Sequence, residues 1–326
     1  MKADQPFSRL DPETILNCVE QVLGRRLLNV CRPHASYINR VYELQDEDGV
    51  FIIAKFFRPH RWSVAALAEE LQFVVDCRDH ELPVIAPLPL SDGGYLGECR
   101  GVRFAVYPRC GGRLVDEFSD DQLVQIGRLL GRLHQVGRSR RAPARERLHP
   151  LHSTRKQVDY LLERRLLPAD LAQPFAAIAA QLIKTITPLF TGVETFRIHG
   201  DCHAANLIYR PGESFFLIDF DDMVTGPAVQ DLWMLLPGPV AESHHELGLL
   251  LEGYETFCPF ADRTLGLIEP LRAMRFIHYL SWCGRQYHED GMTRVDEAFG
   301  SYDYWQREIA DLRDQLDVIG RPTRLP

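Results

Sequence analysis

The chain of 326 residues contains no apolar run approaching the ~18 residues needed to span a bilayer, and its opening Met1-Lys2-Ala3-Asp4-Gln5-Pro6 lacks the apolar stretch of a secretory leader. No membrane partner is expected, and a cytoplasmic location is. Positive charge is also short: 37 Lys and Arg against 45 Asp and Glu leave a net charge of −8. A nucleic-acid partner would call for a basic face instead. The one basic run, Arg138, Arg140, Arg141, Arg145 and Arg147, is interrupted by Pro143 and reads as a solvated loop. The eight cysteines (18, 31, 77, 99, 110, 202, 258, 283) include no CxxC pair. Scattered through a chain this long, they read as reduced thiols rather than a disulfide framework or zinc site. Repeats and low-complexity segments are absent as well. No GxxxxGK[ST] and no GxGxxG occurs, so a P-loop is excluded.

What the chain does have is an acid–amide–acid series. Residues 199–206 read His-Gly-Asp-Cys-His-Ala-Ala-Asn, and the apolar run Phe215-Phe216-Leu217-Ile218 delivers Asp219-Phe220-Asp221-Asp222. Asp and Asn are common turn and capping residues, so the first motif decides little by itself. The second adds weight, because three acids in four residues at the end of a short buried strand repel one another unless cations or donors compensate them. Mg²⁺ meets that need by taking one or two carboxylates together with substrate phosphates. In protein kinases, H-x-D-x-x-x-x-N followed by D-F-G supplies the proton acceptor and then the metal ligands. Asp201, Asn206 and Asp219 stand in that order and spacing. The chain therefore reads as a phosphotransferase. His199 and His203 are four apart, but Gly200 between them breaks helical geometry, so a zinc pair is not expected. Cys202 borders this loop; a buried, inert thiol is preferred there over a redox-sensitive one.

Length suits two lobes rather than one minimal core. Hydrophobic content of 45% and charged content of 25% are those of an ordinary globular protein. The spacing predicts a helix near 11–22, with Asp11-Pro12 at its start. Strands are expected at 27–31, 38–45 and 50–57, with Asp46-Glu47-Asp48-Gly49 as a hairpin turn. A helix capped by Ser63 is expected over 63–78, and strands over 84–90 and 102–108. After Gly111-Gly112 the pattern turns helical, at 119–137, 154–166, 169–187, 228–236, 242–257, 264–282 and 302–318. Strands re-enter only at 195–198, 206–209 and 215–219. The expectation is a two-lobed α+β architecture, with an N-lobe over 1–108 and a helical C-lobe over 109–326. A cleft between lobes is a preferred place for a small-molecule site.

The front lobe offers one unusual cation. Phe51-Ile52-Ile53-Ala54-Lys55-Phe56-Phe57 sets a lysine in an apolar strand. Lysine is rarely buried without a partner, so Lys55 either snorkels or meets an acid and a phosphate. The next helix supplies Glu69 and Glu70. At 100° per residue Val64, Leu67, Leu71, Val74 and Val75 form one apolar stripe; Glu69 falls opposite it, and Glu70 at its edge, facing the sheet. Glu70 is the better partner, in the manner of the Lys–Glu pair of protein kinases. The segment Ala35-Ser36-Tyr37-Ile38-Asn39-Arg40-Val41-Tyr42 stands where a kinase carries its glycine-rich loop. Without glycine, the Ser36 hydroxyl and nearby amides would have to cover the phosphates; an ordinary hairpin turn fits this segment equally well.

These motifs resemble the aminoglycoside phosphotransferase/choline kinase branch of the protein-kinase-like fold. The likeness rests on His199-Gly200-Asp201…Asn206, Ile218-Asp219-Phe220-Asp221 and Gly226-Pro227-Ala228-Val229-Gln230-Asp231-Leu232-Trp233. Ser36-Tyr37-x-Asn39-Arg40-Val41-Tyr42, Lys55-Phe56-x-Arg58-Pro59-x-Arg61-Trp62 and Ile268-Glu269-Pro270-Leu271-Arg272-Ala273-Met274-Arg275 are similar to bacterial stress-response kinases of that branch. The resemblance implies a cytoplasmic Ser/Thr protein kinase that protects bacteria under envelope and oxidative stress. It implies Asp201 as proton acceptor, Asn206 and Asp219 as Mg²⁺ ligands and Ser36 as an ATP-loop contact. By analogy Asp231 caps the helix that follows and braces the catalytic loop.

The reading is ATP- and Mg²⁺-dependent phosphoryl transfer to a hydroxyl by a monomer. Asp201 and Asp219 carry the chemistry; Ser36, Lys55, Glu70, Tyr107 and Cys110 hold the nucleotide, with adenine against Tyr107-Pro108-Arg109-Cys110. Protein Ser/Thr acceptors are favoured by the resemblance alone. A small-molecule kinase of the aminoglycoside, choline or homoserine type stays open, with Asp221, Asp222 and Asp290 as acids for a cationic acceptor. A pseudokinase scaffold is disfavoured by the intact Lys55, Asp201, Asn206 and Asp219.

Overall fold

The computed structural model describes residues 7–290 and 296–321, and these divide into two compact units. The first holds residues up to 118 together with 135–145 and 203–223; the second holds 119–134, 146–202 and 224 onward. The chain crosses between the units after residues 118, 134, 145, 202 and 223, and the acidic segment 203–223 returns to the first unit.

In the first unit, helix α1 (Pro12–Leu23) starts as its sequence dictates: the Asp11 side chain accepts from the Thr14 amide at 2.8 Å, and Gly24 ends it in the left-handed region. Strands β1 (Leu27–His34), β2 (Arg40–Asp46) and β3 (Phe51–Phe56) follow, then α2 (Val64–Asp79), β4 (Gly97–Cys99) and β5 (Val102–Pro108). They form one antiparallel sheet in the order β1-β2-β3-β5-β4. The β2–β3 turn closes where expected, with Gly49 at φ 81° and its amide donating to Asp46 O at 3.0 Å. Alternation along β3 sends Ile52, Ala54 and Phe56 into a core shared with Ile15, Val19 and Leu44 of α1 and β2. Lys55 therefore points to the opposite face, where Leu67 and Leu71 of α2 pack with Phe57 and Ala105. Val64, counted in the α2 stripe, is exposed instead.

No strand forms over 84–90. Pro87 and Pro89 remove ladder donors there, and the segment is tied singly: Leu88 N to Val106 O at 2.7 Å and Leu90 N to Gly94 O at 2.8 Å. The three-residue β4 was not foreseen. The cysteines also depart from expectation, because Cys18 of α1 and Cys99 of β4 form a disulfide, Cα–Cα 5.7 Å. Residues 81 apart in sequence meet because α1 packs on that end of the sheet, which spacing alone could not show. The other six cysteines form no disulfide.

In the second unit lie most of α3 (Asp120–Arg138), then α4 (Arg155–Glu163), α5 (Ala169–Ile186) and β6 (Phe196–Ile198). Strands β7 (Leu207–Arg210) and β8 (Ser214–Leu217) pair in the first unit, while β9 (Val224–Gly226) pairs with β6 in the second. The chain closes with α6 (Val229–Trp233), α7 (His244–Glu255), α8 (Ile268–Asp290) and α9 (Tyr302–Ile319). One apolar core joins α4, α5, α8 and α9 through Leu161, Phe175, Leu182, Ile277, Tyr304 and Trp305. Glycine lets α3 and α7 touch: a Cβ on Gly127 or Gly253 would collide with the facing helix backbone. No helix among the described residues is long and apolar enough to cross a membrane.

Candidate active site

Carboxylates from α2 and from the segment after β8 surround Lys55. Its ammonium lies 2.7 Å from Asp219 Oδ1 and 3.7 Å from Asp221 Oδ1, and its side chain is 13% exposed. Burial works against the charge, but the carboxylates of Asp219 and Glu70 outweigh it and hold the ammonium pKa above its ordinary value. Asp219 follows β8 in the left-handed region (φ 59°), a conformation aspartate tolerates better than most residues. Its carboxylate is 52% exposed beyond the Lys55 contact. The amide of Ile218 donates to Asn206 O at 3.0 Å, so the backbones carrying the two expected metal ligands are tied together. Asn206 itself is buried, with Nδ2 3.4 Å from His203 Nε2.

The Lys55–Glu70 pair takes a different form from the one expected. Glu70 is buried as its helical position requires, yet its closest cation is Arg145, at 3.5 Å. Burial raises the Glu70 carboxyl pKa, and Lys55 and Arg145 oppose that rise. Arg145 comes from the run read as a solvated loop, and it is buried. Its Nε donates to Met223 O at 2.7 Å and its Nη2 to Asp221 O at 2.5 Å, and the guanidinium lies 4.1 Å over the Trp62 ring. Glu69, on the side of α2 away from its stripe, accepts from the amides of Ala144 and Arg145 at 2.9 and 3.0 Å. Arg145 thus connects α2 to the backbone just after Asp219. Sequence reasoning missed it; Pro143 and the neighbouring arginines disguised it.

Two further residues surround the acidic triplet. Arg61 pairs with Asp221 and, at 2.6 Å, with Asp222. Asn39 is buried, donates to Asp221 Oδ2 at 3.3 Å and accepts from the Arg58 amide at 3.0 Å. Both lie in motifs that carried the family resemblance, the signal by which they could have been found. Ser36 sits in the loop between β1 and β2, partly buried. Tyr107 stands on β5 opposite Ile53, on the Lys55 face; burial lifts its phenol pKa despite Lys55. Cys110 follows, its Sγ 3.4 Å from Arg210 Nη1. Gly112 pairs closely with β7, where a Cβ would strike Ile208, and Arg113 exchanges both backbone bonds with Tyr209.

Among the described residues, no group of three or more His, Cys, Asp or Glu could hold a metal. Mg²⁺ needs no such group, because it draws on one or two carboxylates plus phosphates and water. The half-exposed Asp219 carboxylate and the Asn206 amide are the donors that fit.

The second unit carries Asp201. Gly200 (φ 84°) turns the chain just before it, a conformation that suits glycine. Asp231 braces this turn from a fully buried position: its carboxylate accepts from the amides of His199 and Gly200, both at 2.8 Å. It lies inside α6 rather than at its cap, which Ala228 occupies. Buried His134 is 3.1 Å from Asp231 and 3.0 Å from the Tyr254 hydroxyl. Gln230 adds a bond to Gly200 O at 3.0 Å, and the His199 ring accepts from the Asp201 amide at 3.3 Å. Cys202 is fully buried; burial, with Asp231 and Asp201 adding to it, pushes its thiol pKa well up. Asp201 Oδ1 is 2.7 Å from Arg275 of α8.

Residues 30–267 match the model of the phosphotransferase enzyme family (APH), and the chain belongs to that family. It is an enzyme of the kinase class, with the protein-kinase-like α+β fold. Stress response kinase A of Escherichia coli K12 is 38% identical over 324 residues, 97% of this chain and 95% of its own. Serine/threonine protein kinase RdoA of Salmonella typhimurium LT2 is 37% identical over the same shares. Among solved structures, amicoumacin kinase hAmiN in complex with AMP-PNP, Ca²⁺ and Ami superposes with a TM-score of 0.76 at 20% identity, covering 98% of this chain and 97% of that one.

Proposed function

We propose that the protein transfers the γ-phosphoryl group of ATP to serine or threonine hydroxyls of proteins, in a cytoplasmic stress response of the kind its relatives are named for. The observation that carries the transferase chemistry is the Lys55–Asp219 contact at 2.7 Å, backed by buried Glu70 and Arg145. Such a cation beside a half-exposed carboxylate is what a polyphosphate bound with a divalent ion requires. Lys55 binds the α/β-phosphates, the Ser36 loop covers them, and adenine lies against Tyr107 and Cys110. Asn206 and Asp219 would hold Mg²⁺, which neutralises charge on the phosphate oxygens. Asp201 orients the acceptor and takes its hydroxyl proton. The new O–P bond forms as the bond from the γ-phosphorus to the β-bridging oxygen breaks, and ADP leaves. Asp201 precedes Asn206 by five residues in one loop, so the braced turn at Gly200 positions the base.

A small-molecule acceptor is the second reading, favoured by the fold shared with amicoumacin kinase. The test is transfer from labelled ATP to casein-type proteins, serine peptides and amino alcohols in parallel, with Asp201→Asn as control. Label on protein hydroxyls, absent in the control, supports the reading. Label only on amino alcohols replaces it with the second. A mass near 37.3 kDa in solution is expected for the active monomer.

A further inference from the structure

The cation on Asp201 has consequences for what can approach it. In the second unit Arg275 Nη1 lies 2.7 Å from Asp201 Oδ1, with the arginine side chain 41% exposed and the aspartate 21%. A guanidinium carries five donors in a planar fork, and one ion pair on a side chain so exposed does not use them all. Between Glu269 and Glu289, α8 carries Arg272, Arg275 and Arg285 with His278 and His288, and no acid at all. Glu269 is buried and engaged by Arg272 at 3.1 Å. This stretch is cationic in a chain whose net charge is −8.

Two of the three acids that the sequence offered to a cationic acceptor are occupied. Asp221 is buried with Arg61, Lys55 and Asn39 on its oxygens, and Asp222 is paired with Arg61. The Asp290 side chain lies outside the described residues. A positive group beside the acceptor hydroxyl would meet the Arg275 guanidinium, whereas a negative group would meet its unused donors.

We propose that Arg275 is a specificity-determining residue: it selects acceptor hydroxyls flanked by negative charge, such as a serine next to acidic side chains, and rejects cationic alcohols. The assignment rests on Asp201 being the acceptor base. Serine peptides identical except for Glu or Lys flanks, and ethanolamine as the cationic alcohol, are assayed with wild type, Arg275→Ala, Arg275→Lys and Arg275→Glu. ATP hydrolysis is recorded alongside, and binding of the same peptides by fluorescence anisotropy. Wild type should favour the Glu-flanked peptide tenfold or more, through KM rather than kcat. The preference should survive in Arg275→Lys, vanish in Arg275→Ala and invert in Arg275→Glu, with the KM for ATP within twofold throughout. An unchanged preference in Arg275→Ala and Arg275→Glu, or a wild type that favours ethanolamine, overturns the assignment. If wild type neither transfers nor hydrolyses, the kinase reading fails. Anisotropy then still decides: a Glu-flank preference abolished by Arg275→Glu keeps Arg275 as the charge filter, and equal binding of both peptides removes it.

Discussion

At Asp219 the backbone and the side chain make separate demands. In the left-handed region asparagine fits while alanine is strained, by roughly 1–2 kcal/mol. Asp219→Ala should therefore unfold at a lower temperature than Asp219→Asn, while both lose transfer and Mg²⁺-dependent nucleotide binding. Asp201→Asn should lose transfer but keep nucleotide binding, because Lys55, Asn206 and Asp219 are untouched. Isothermal titration with a non-hydrolysable ATP analogue, beside a transfer assay, separates the three; near-wild-type turnover in Asp201→Asn would remove it as base. The thiols give a second check at this scale. With Cys18 and Cys99 joined, unfolded protein should titrate six thiols without reductant and eight with it. Native protein should leave fully buried Cys202 unmodified by the same reagent. That all eight would be reduced was a reasonable inference from spacing, and only the packing of α1 shows otherwise.

Between elements, the decisive contact is the one Arg145 makes from the segment after α3 to α2 and to the backbone of residues 221–223. Glu70→Gln leaves a buried guanidinium without its carboxylate, a loss of the kind that costs about 3–5 kcal/mol. A Glu70→Gln/Arg145→Met cycle followed by urea unfolding should show coupling of about 0.5–3 kcal/mol. The Lys55→Met/Glu70→Gln cycle should couple less, since Lys55 contacts Asp219 and feels Glu70 without touching it. Additivity in the first cycle would mean that Arg145 is held by the carbonyls alone. The raised Lys55 pKa fixes a pH window too: its contribution is complete below the unfolded value of about 10.4 and fades only as pH rises through the folded one. The KM for ATP should thus show no Lys55 titration between pH 6 and 9.

These elements also show what a sequence can and cannot carry. Capping at Asp11 and Ser63, the turn at Gly49 and the alternation in β3 are local, so α1, α2 and the hairpin were legible to within a few residues. The stretch 84–90 was not, because its apolar residues imitate a strand while Pro87 and Pro89 deny it a ladder. The acid–amide–acid series announced itself by spacing. Arg61, Asn39, Arg145 and Arg275 did not, because each acts by contact with residues 70 or more positions away.

For the molecule as a whole, the segment after Asp219 sets the mode of control. Residues 220–222 form a tight turn, β9 pairs with β6, and α6 follows at Val229. Thr225 donates its amide to Glu146 O and accepts from the Leu148 amide at 2.9 Å, so its backbone is held on both sides. Gly200 occupies the place of the arginine that greets a phosphorylated loop in H-R-D kinases. Phosphatase-treated protein should therefore work without a lag, and Thr225→Ala should keep most activity; a lag tracking self-phosphorylation would refute this. If treated protein does work without a lag, the enzyme holds no dormant reserve to release. Its output would then follow the number of copies in the cell, so a stressed cell would raise its signal at the pace of synthesis and silence it only by dilution or proteolysis. Specific activity per mole should then be the same in enzyme drawn from resting and stressed cultures.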